Sequence, residues 1–119
     1  MKKTRSTTRE LKELINNIET HPEAKKTKFW VRIVKELKKP ARQRRKVNLH
    51  KINKHTREQE TAVIPGKVLS AGDLTKEITV AAYQFSKKAR EKISSKGKVI
   101  TLQQLLKENS KAKKVRIIG

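Results

Sequence analysis

The chain contains no cysteine in its 119 residues. That absence excludes disulfides, thiolate zinc sites and cysteine nucleophiles, and it suits a cytoplasmic protein. Aspartate occurs once, at Asp73, and Asp and Glu together number only 11. There are four aromatic residues: Phe29, Trp30, Tyr83 and Phe85. Apolar residues make up 34% of the chain, below the ~45–50% usual for globular domains. The core is therefore small for the length. No apolar run approaches the ~18 residues of a membrane span. The basic start MKKTRSTTRELKEL is followed by no apolar stretch of the kind a secretory signal needs.

Against those 11 acids stand 32 Lys and Arg residues, for a formal net charge of +21. Residues 1–60 carry 19 bases and 7 acids; residues 61–119 carry 13 and 4. This is not a neutral domain with a basic tail, because cationic surface covers both halves. So many like charges held close together oppose the compact state, and a polyanion relieves them. Nucleic acid is the leading partner class, with an anionic membrane surface second.

The charge peaks in KKPARQRRKVNLHKINKHTR, Lys38 to Arg57, with nine Lys or Arg, two His and no acid in twenty residues. The candidate RNA-binding residues here are Lys38, Lys39, Arg42, Arg44, Arg45, Lys46, Lys51, Lys54 and Arg57. Arg offers a planar fork that matches two phosphate oxygens, and Lys offers a point charge. Asn48, His50, Asn53 and His55 add neutral groups able to reach a ribose hydroxyl or a base edge. Lys2, Lys3 and Arg5 of the N-terminal arm complete the basic set. The bland alternative is a solvated basic loop.

Periodicity supplies the scaffold. Residues 1–7 read as a polar arm. Leu11, Leu14, Ile15 and Ile18 predict a helix over about Thr8–Thr20, capped by Thr7 or Thr8, with Glu10 in its first turn. His21-Pro22 interrupts it. Phe29, Trp30, Ile33, Val34 and Leu37 predict a second helix over about Lys26–Lys38, ended by Pro40. Lys38–Lys46 reads as an extended loop. From Val47 the pattern turns to α/β. Strand-like runs occur at Val47–Ile52, Thr61–Leu69, Ile78–Phe85, Val99–Ile100 and Val115–Ile118. Two helices are interleaved, one capped by Ser86 and stopped at Gly97, the other opened by a Thr101–Gln104 capping box. Pro65-Gly66 predicts an edge, bulge or turn, and Gly72-Asp73 a turn. The expectation is an α/β fold with a small mixed sheet, at least partly parallel, preceded by two N-terminal helices. It is one domain over 1–119, with arm, helices and basic loop in 1–46 and the α/β body in 47–119.

Catalytic apparatus does not emerge. There is no G-x-S-x-G elbow. His50 and His55, five apart, project in different directions on a helix or a strand, so they make no metal pair. Pro65-Gly66-Lys67 misses the phosphate-loop pattern, having Thr61 where Gly is needed and Val68 where Ser or Thr is needed. No enzyme, metal or other cofactor is expected. Phe29 and Phe85 read as core, as do Trp30 and Tyr83, although base stacking is the competing role for the latter two. The cations on the second helix, Lys28, Arg32 and Lys35, carry no recognition-helix signature.

FWVRIVKELKKPARQRRK runs into VNLHKINKHT, followed in order by TAVIPGKVLSAGDL, ITVAAYQFSKKAREKI and a terminal VRIIG. Nearly the whole chain thereby resembles the archaeal and eukaryotic large-subunit ribosomal protein eighteen family. That family is itself similar to the C-terminal half of the bacterial large-subunit protein fifteen. The ending at Gly119 resembles the short archaeal form. The resemblance implies irregular β-β-α units and a structural role in the 50S subunit. It implies binding to 23S rRNA, neighbouring large-subunit proteins as partners, and no membrane, small-molecule substrate or homo-oligomer. It assigns RNA binding to Lys38–Lys46 and places Lys67, in the VIPGKVLSAG segment, near RNA. The runner-up from composition alone is a free nucleic-acid-binding protein of chromatin or RNA-chaperone type.

Overall fold

Strand alternation sorts the small core into two layers. The computed structural model describes residues 2–40 and 43–118, with side chains from residue 9 onward. Its elements are α1 (Lys2–Thr20), a 3-10 turn (Ala24–Lys26), α2 (Lys28–Leu37), β1 (Lys46–Asn48), α3 (Leu49–His55), β2 (Thr61–Leu69), β3 (Thr79–Phe85), α4 (Lys87–Lys96), β4 (Lys98–Thr101), α5 (Leu102–Glu108) and β5 (Val115–Ile117). The strand order is β1-β2-β3-β4, and β5 also pairs with β2. Val63, Ala81 and Ile100 point to one face, where α1, α2 and α5 contribute Leu14, Ile18, Trp30, Ile33, Leu37, Leu102 and Leu105. Ala62, Ile64, Val80 and Ala82 point to the other, against Leu49 and Ile52 of α3 and Ala89 and Ile93 of α4. The alternation of period two along each strand separates these layers.

The sheet is α/β as expected but not mixed, since every pairing among the described residues is parallel. The strand–turn–strand pattern from Thr61 to Phe85 hides a crossover without a helix. Residues 70–78 carry the chain back across one face and bury Leu74 and Ile78 there, at 5% and 1% exposure. Pro65 lies in the central strand rather than at an edge. The bulge expected there is present as a register shift between Ile64 and Lys67. It falls between the segments of β2 that pair with β5 (Thr61–Val63) and with β1 (Lys67–Leu69), where proline's missing N–H interrupts the least ladder.

Two helix expectations and one strand expectation need correction. Helix α1 starts at Lys2, not Thr8. KKTRSTTR contains no glycine or proline, so nothing stops the helix from extending. The arm is helical, Thr7 and Thr8 are interior, and Glu10 is not in the first turn. The second helix begins at Lys28. Before it, the His21 ring nitrogen Nδ1 accepts the amides of Glu23 and Ala24 at 3.2 and 3.3 Å and holds the separate 3-10 turn. Val47–Ile52 is not one strand. The chain leaves β1 after Asn48 and enters α3, where Leu49 and Ile52, spaced i,i+3, are both fully buried. Seven helical residues are too few for periodicity to announce them.

The caps follow the sequence. Ser86 Oγ accepts from the Ala89 amide at 3.2 Å. In the capping box, the Gln104 amide donates to Thr101 Oγ1 at 3.1 Å and the Thr101 amide donates to Gln104 Oε1 at 2.9 Å. Gly97 ends α4 for a different reason than a left-handed cap: its φ is −142°. A Cβ there would sit 2.1 Å from the Ile78 carbonyl oxygen.

Candidate nucleic-acid interface

The basic loop after α2 is held down rather than free. Glu36, on the last turn of α2, is 7% exposed. Its carboxylate accepts from Lys39 Nζ at 3.1 Å and from Arg45 Nε at 3.1 Å. Arg44 Nε donates to the Lys39 carbonyl at 3.1 Å, which folds the loop back on its own root. Burial pushes the Glu36 carboxyl up. The hydrogen bond from Lys39 and the positive charges of Arg45 and Lys39 outweigh burial and hold it below the usual 4.5.

The far end of the loop docks on the sheet. The Lys67 amide donates to the Arg45 carbonyl at 2.9 Å, continuing the β1–β2 ladder by one bond. Gly66 permits this approach, since a Cβ there would lie 2.0 Å from the same carbonyl oxygen. The register Lys46↔Lys67 and Lys67↔Gln84 then sets three strands side by side. The result is an open cleft of about 300 Å³ lined by Arg44, Arg45, Lys46, Gly66, Lys67, Tyr83 and Gln84. The Arg44 guanidinium lies 5.6 Å from the centre of the Tyr83 ring, a cation–π distance. Burial raises the Tyr83 hydroxyl above its usual 10.0, against the charge of Arg44 and with that of Glu10, so it stays a neutral phenol at physiological pH. The lining holds four cations, a phenol and an amide, and no carboxylate. Such a surface can bind phosphate oxygens and offers no acid/base pair.

The remaining candidates are dispersed. Lys38 pairs with Glu19 at 3.1 Å. Asn48 stands at the N-cap position of α3 and makes no side-chain cap bond. Asn53 is used structurally: its Oδ1 accepts from the Thr75 amide at 2.9 Å and from the Thr75 hydroxyl at 3.2 Å. His50, Lys51, Lys54 and His55 are exposed on α3, and Arg57 is exposed just after it. None of these lines the cleft. Lys2, Lys3 and Arg5 fall on α1, with side chains outside the described ones, and Arg42 lies outside the described residues. Gly66 and Gln84 were missed because they reach the site only through strand register; Tyr83, read as core with base stacking as its competing role, lies in the cleft lining. Trp30 is not a stacking residue. It is fully buried, its indole donates to the Ser110 carbonyl at 3.0 Å, and Phe29 packs edge-on against it.

Nearly the whole chain matches a known family. Residues 1–118 fit the model described as ribosomal protein 60S L18 and 50S L18e. The chain belongs to this family. A large ribosomal subunit protein eL18 of Methanococcus maripaludis is 40% identical over 120 residues, covering all of both chains. That of Sulfurisphaera tokodaii is 48% identical over 94 residues, 78% of this chain and 80% of its own. That of Haloarcula marismortui is 37% identical over 108 residues, 91% of this chain and 93% of its own. In this L18e chain, Arg44, Arg45 and Lys46 of KKPARQRRK line the acid-free cleft.

Proposed function

We propose that this L18e protein is a structural constituent of the cytoplasmic large ribosomal subunit. It binds 23S rRNA and touches neighbouring subunit proteins, without catalysis and without self-association. The observation that carries the RNA-binding part is the cleft, where Arg44, Arg45, Lys46 and Lys67 converge from a loop and two strands with no acid in the lining. Its mechanism is neutralisation and positioning. The cations displace counterions from the packed phosphate backbone, and the α/β body fixes the geometry in which they do so.

The test is binding of the full chain to a large-subunit rRNA transcript at several salt concentrations. Sedimentation of cell lysate supplies the second readout. The wild type should lose affinity steeply with salt. R44Q/K46Q/K67Q should bind more weakly and reduce the slope of log K against log salt by about 2–3. The chain should travel with the large subunit through a moderate salt wash. A flat salt response, or a chain that stays at the top of the gradient or follows DNA, would overturn the proposal.

A further inference from the structure

Helix α2 presents two unlike faces. Trp30, Ile33, Val34 and Leu37 are buried in the core. The outer face carries Lys28, Arg32 and Lys35 at i, i+4 and i+7, and Lys39 continues the row past the helix end. With Val31 they line an open groove of about 500 Å³. Lys38, Lys39, Arg45, Lys92 and Arg116 are all in ion pairs. Lys28, Arg32 and Lys35 are exposed, and among the described residues no acid pairs with them. Like charges three and four apart oppose the helix that carries them. This face therefore holds repulsion that the free protein does not relieve.

We propose that the outer face of α2 is a second RNA-backbone site, taking the phosphates of one strand of an RNA helix. The Cβ atoms of neighbouring residues in this row are set about 5–6 Å apart by helix geometry, a stride close to that between successive phosphates along a strand, and the long side chains can adjust their charges to it. The row contains no base-reading amide or carboxylate of its own, so it follows the backbone rather than the sequence. The groove adjoins the cleft at one residue. Glu36 lines it and accepts from Lys39 on its side and from Arg45 on the cleft side. The two surfaces thus form one track around the C-terminal end of α2. This inference rests on the RNA-binding reading of the cleft and adds a separate set of contacts to it.

The experiment compares three variants of the full chain on a large-subunit rRNA transcript. K28Q/R32Q/K35Q should lower the salt slope by about 2–3, beyond and in addition to the loss in the cleft variant. The charge-conserving K28R/R32K/K35R should keep the wild-type slope. If the α2 triple variant keeps the wild-type slope while the cleft variant loses its share, this proposal fails and the cleft reading stands. If neither changes the slope, the cleft reading fails with it. The absence of cysteine allows an independent check. V31C carries a single label at a residue of the groove lining, 55% exposed and the most exposed large apolar side chain among the described residues. An iron chelate tethered there should cleave one RNA segment in the assembled subunit. Crosslinking of position 31 to a protein with no RNA cleavage would overturn the proposal in favour of an acidic protein contact.

Discussion

Replacing Glu36 by glutamine tests how the basic loop is held. The carboxylate side chain is 9% exposed, while its partners Lys39 and Arg45 are 41% and 27% exposed. Removing one member of a fully buried pair costs about 3–5 kcal/mol. Here both cations can turn to water and Gln keeps one acceptor, so the expected loss is smaller, about 1–2 kcal/mol. For a domain of this length that lowers Tm by very roughly 5–10 °C. The folded carboxyl lies below the usual 4.5. Its contribution is therefore complete above the unfolded value and disappears as the pH falls through the folded value. Wild type and E36Q should differ at pH 7 and converge as the pH falls through the folded value, where wild-type Glu36 takes up its proton. Thermal unfolding across an acid titration measures this, and hydrogen exchange of the Lys67 amide, bonded to Arg45, should quicken in E36Q at pH 7. Equal Tm at pH 7, or a difference that does not shrink at all as the pH is lowered, would refute the clamp.

Other positions respond differently. Trp30→Ala should cost about 3–5 kcal/mol, followed by circular dichroism because the sole Trp is lost; a near-normal melt with lost RNA affinity would return Trp30 to a stacking role. Gly66→Ala should destabilise by about 1–3 kcal/mol and weaken rRNA binding, because its Cβ must push the Arg45 carbonyl off the sheet. Wild-type affinity in G66A would show that the loop binds without docking. Lys76 Nζ donates to the Asn53 and Thr56 carbonyls at the end of α3, at 2.9 and 3.1 Å. Lys76→Met should cost about 1–2 kcal/mol and speed amide exchange in α3; unchanged exchange would make the contact incidental.

What was legible in the sequence follows the length of each pattern. The stripes of α1 and α2 repeat over enough turns to declare a helix, and the caps at Ser86 and Thr101 are local chemistry complete within four residues. Helix α3 is too short for a stripe, and the alternation of Val47 and Leu49 imitates a strand. Parallel pairing of β2 and β3 was illegible because only nine residues, SAGDLTKEI, connect them without a helix. Leu74 and Ile78 show their purpose only against the sheet. The cations of the cleft could be named from their density. Their companion Gln84 could not, because register joins it to Lys67 across seventeen residues of chain, and Tyr83 could be named as a stacking alternative but not placed beside them.

The few acids explain where the many bases are left free. Glu36 ties the loop to α2, and Glu19 ties α1 to Lys38 just past α2. Asp73 in the crossover meets Lys92 of α4 at 3.5 Å, while Lys92 Nζ also donates to the Ser70 and Gly72 carbonyls. Glu60 receives both Nε and Nη2 of Arg116 at 3.1 Å, joining the approach to β2 with β5. That hydrogen bonding from Arg116, with the Arg57 amide, holds the Glu60 carboxyl below its usual value. Each of these acids thus stands at a junction between elements rather than on an open face. Exposed pairs of this kind add little stability singly, but their placement settles which cations are spent inside the fold. In the proposed reading, cations without such a partner among the described residues, Lys46 and Lys67 of the cleft and Lys28, Arg32 and Lys35 along α2 included, keep their charge for an external anion. A chain with more acids at these junctions would gain little, and acids placed beside the cleft or the outer face of α2 would weaken the field on which the proposed RNA contacts depend.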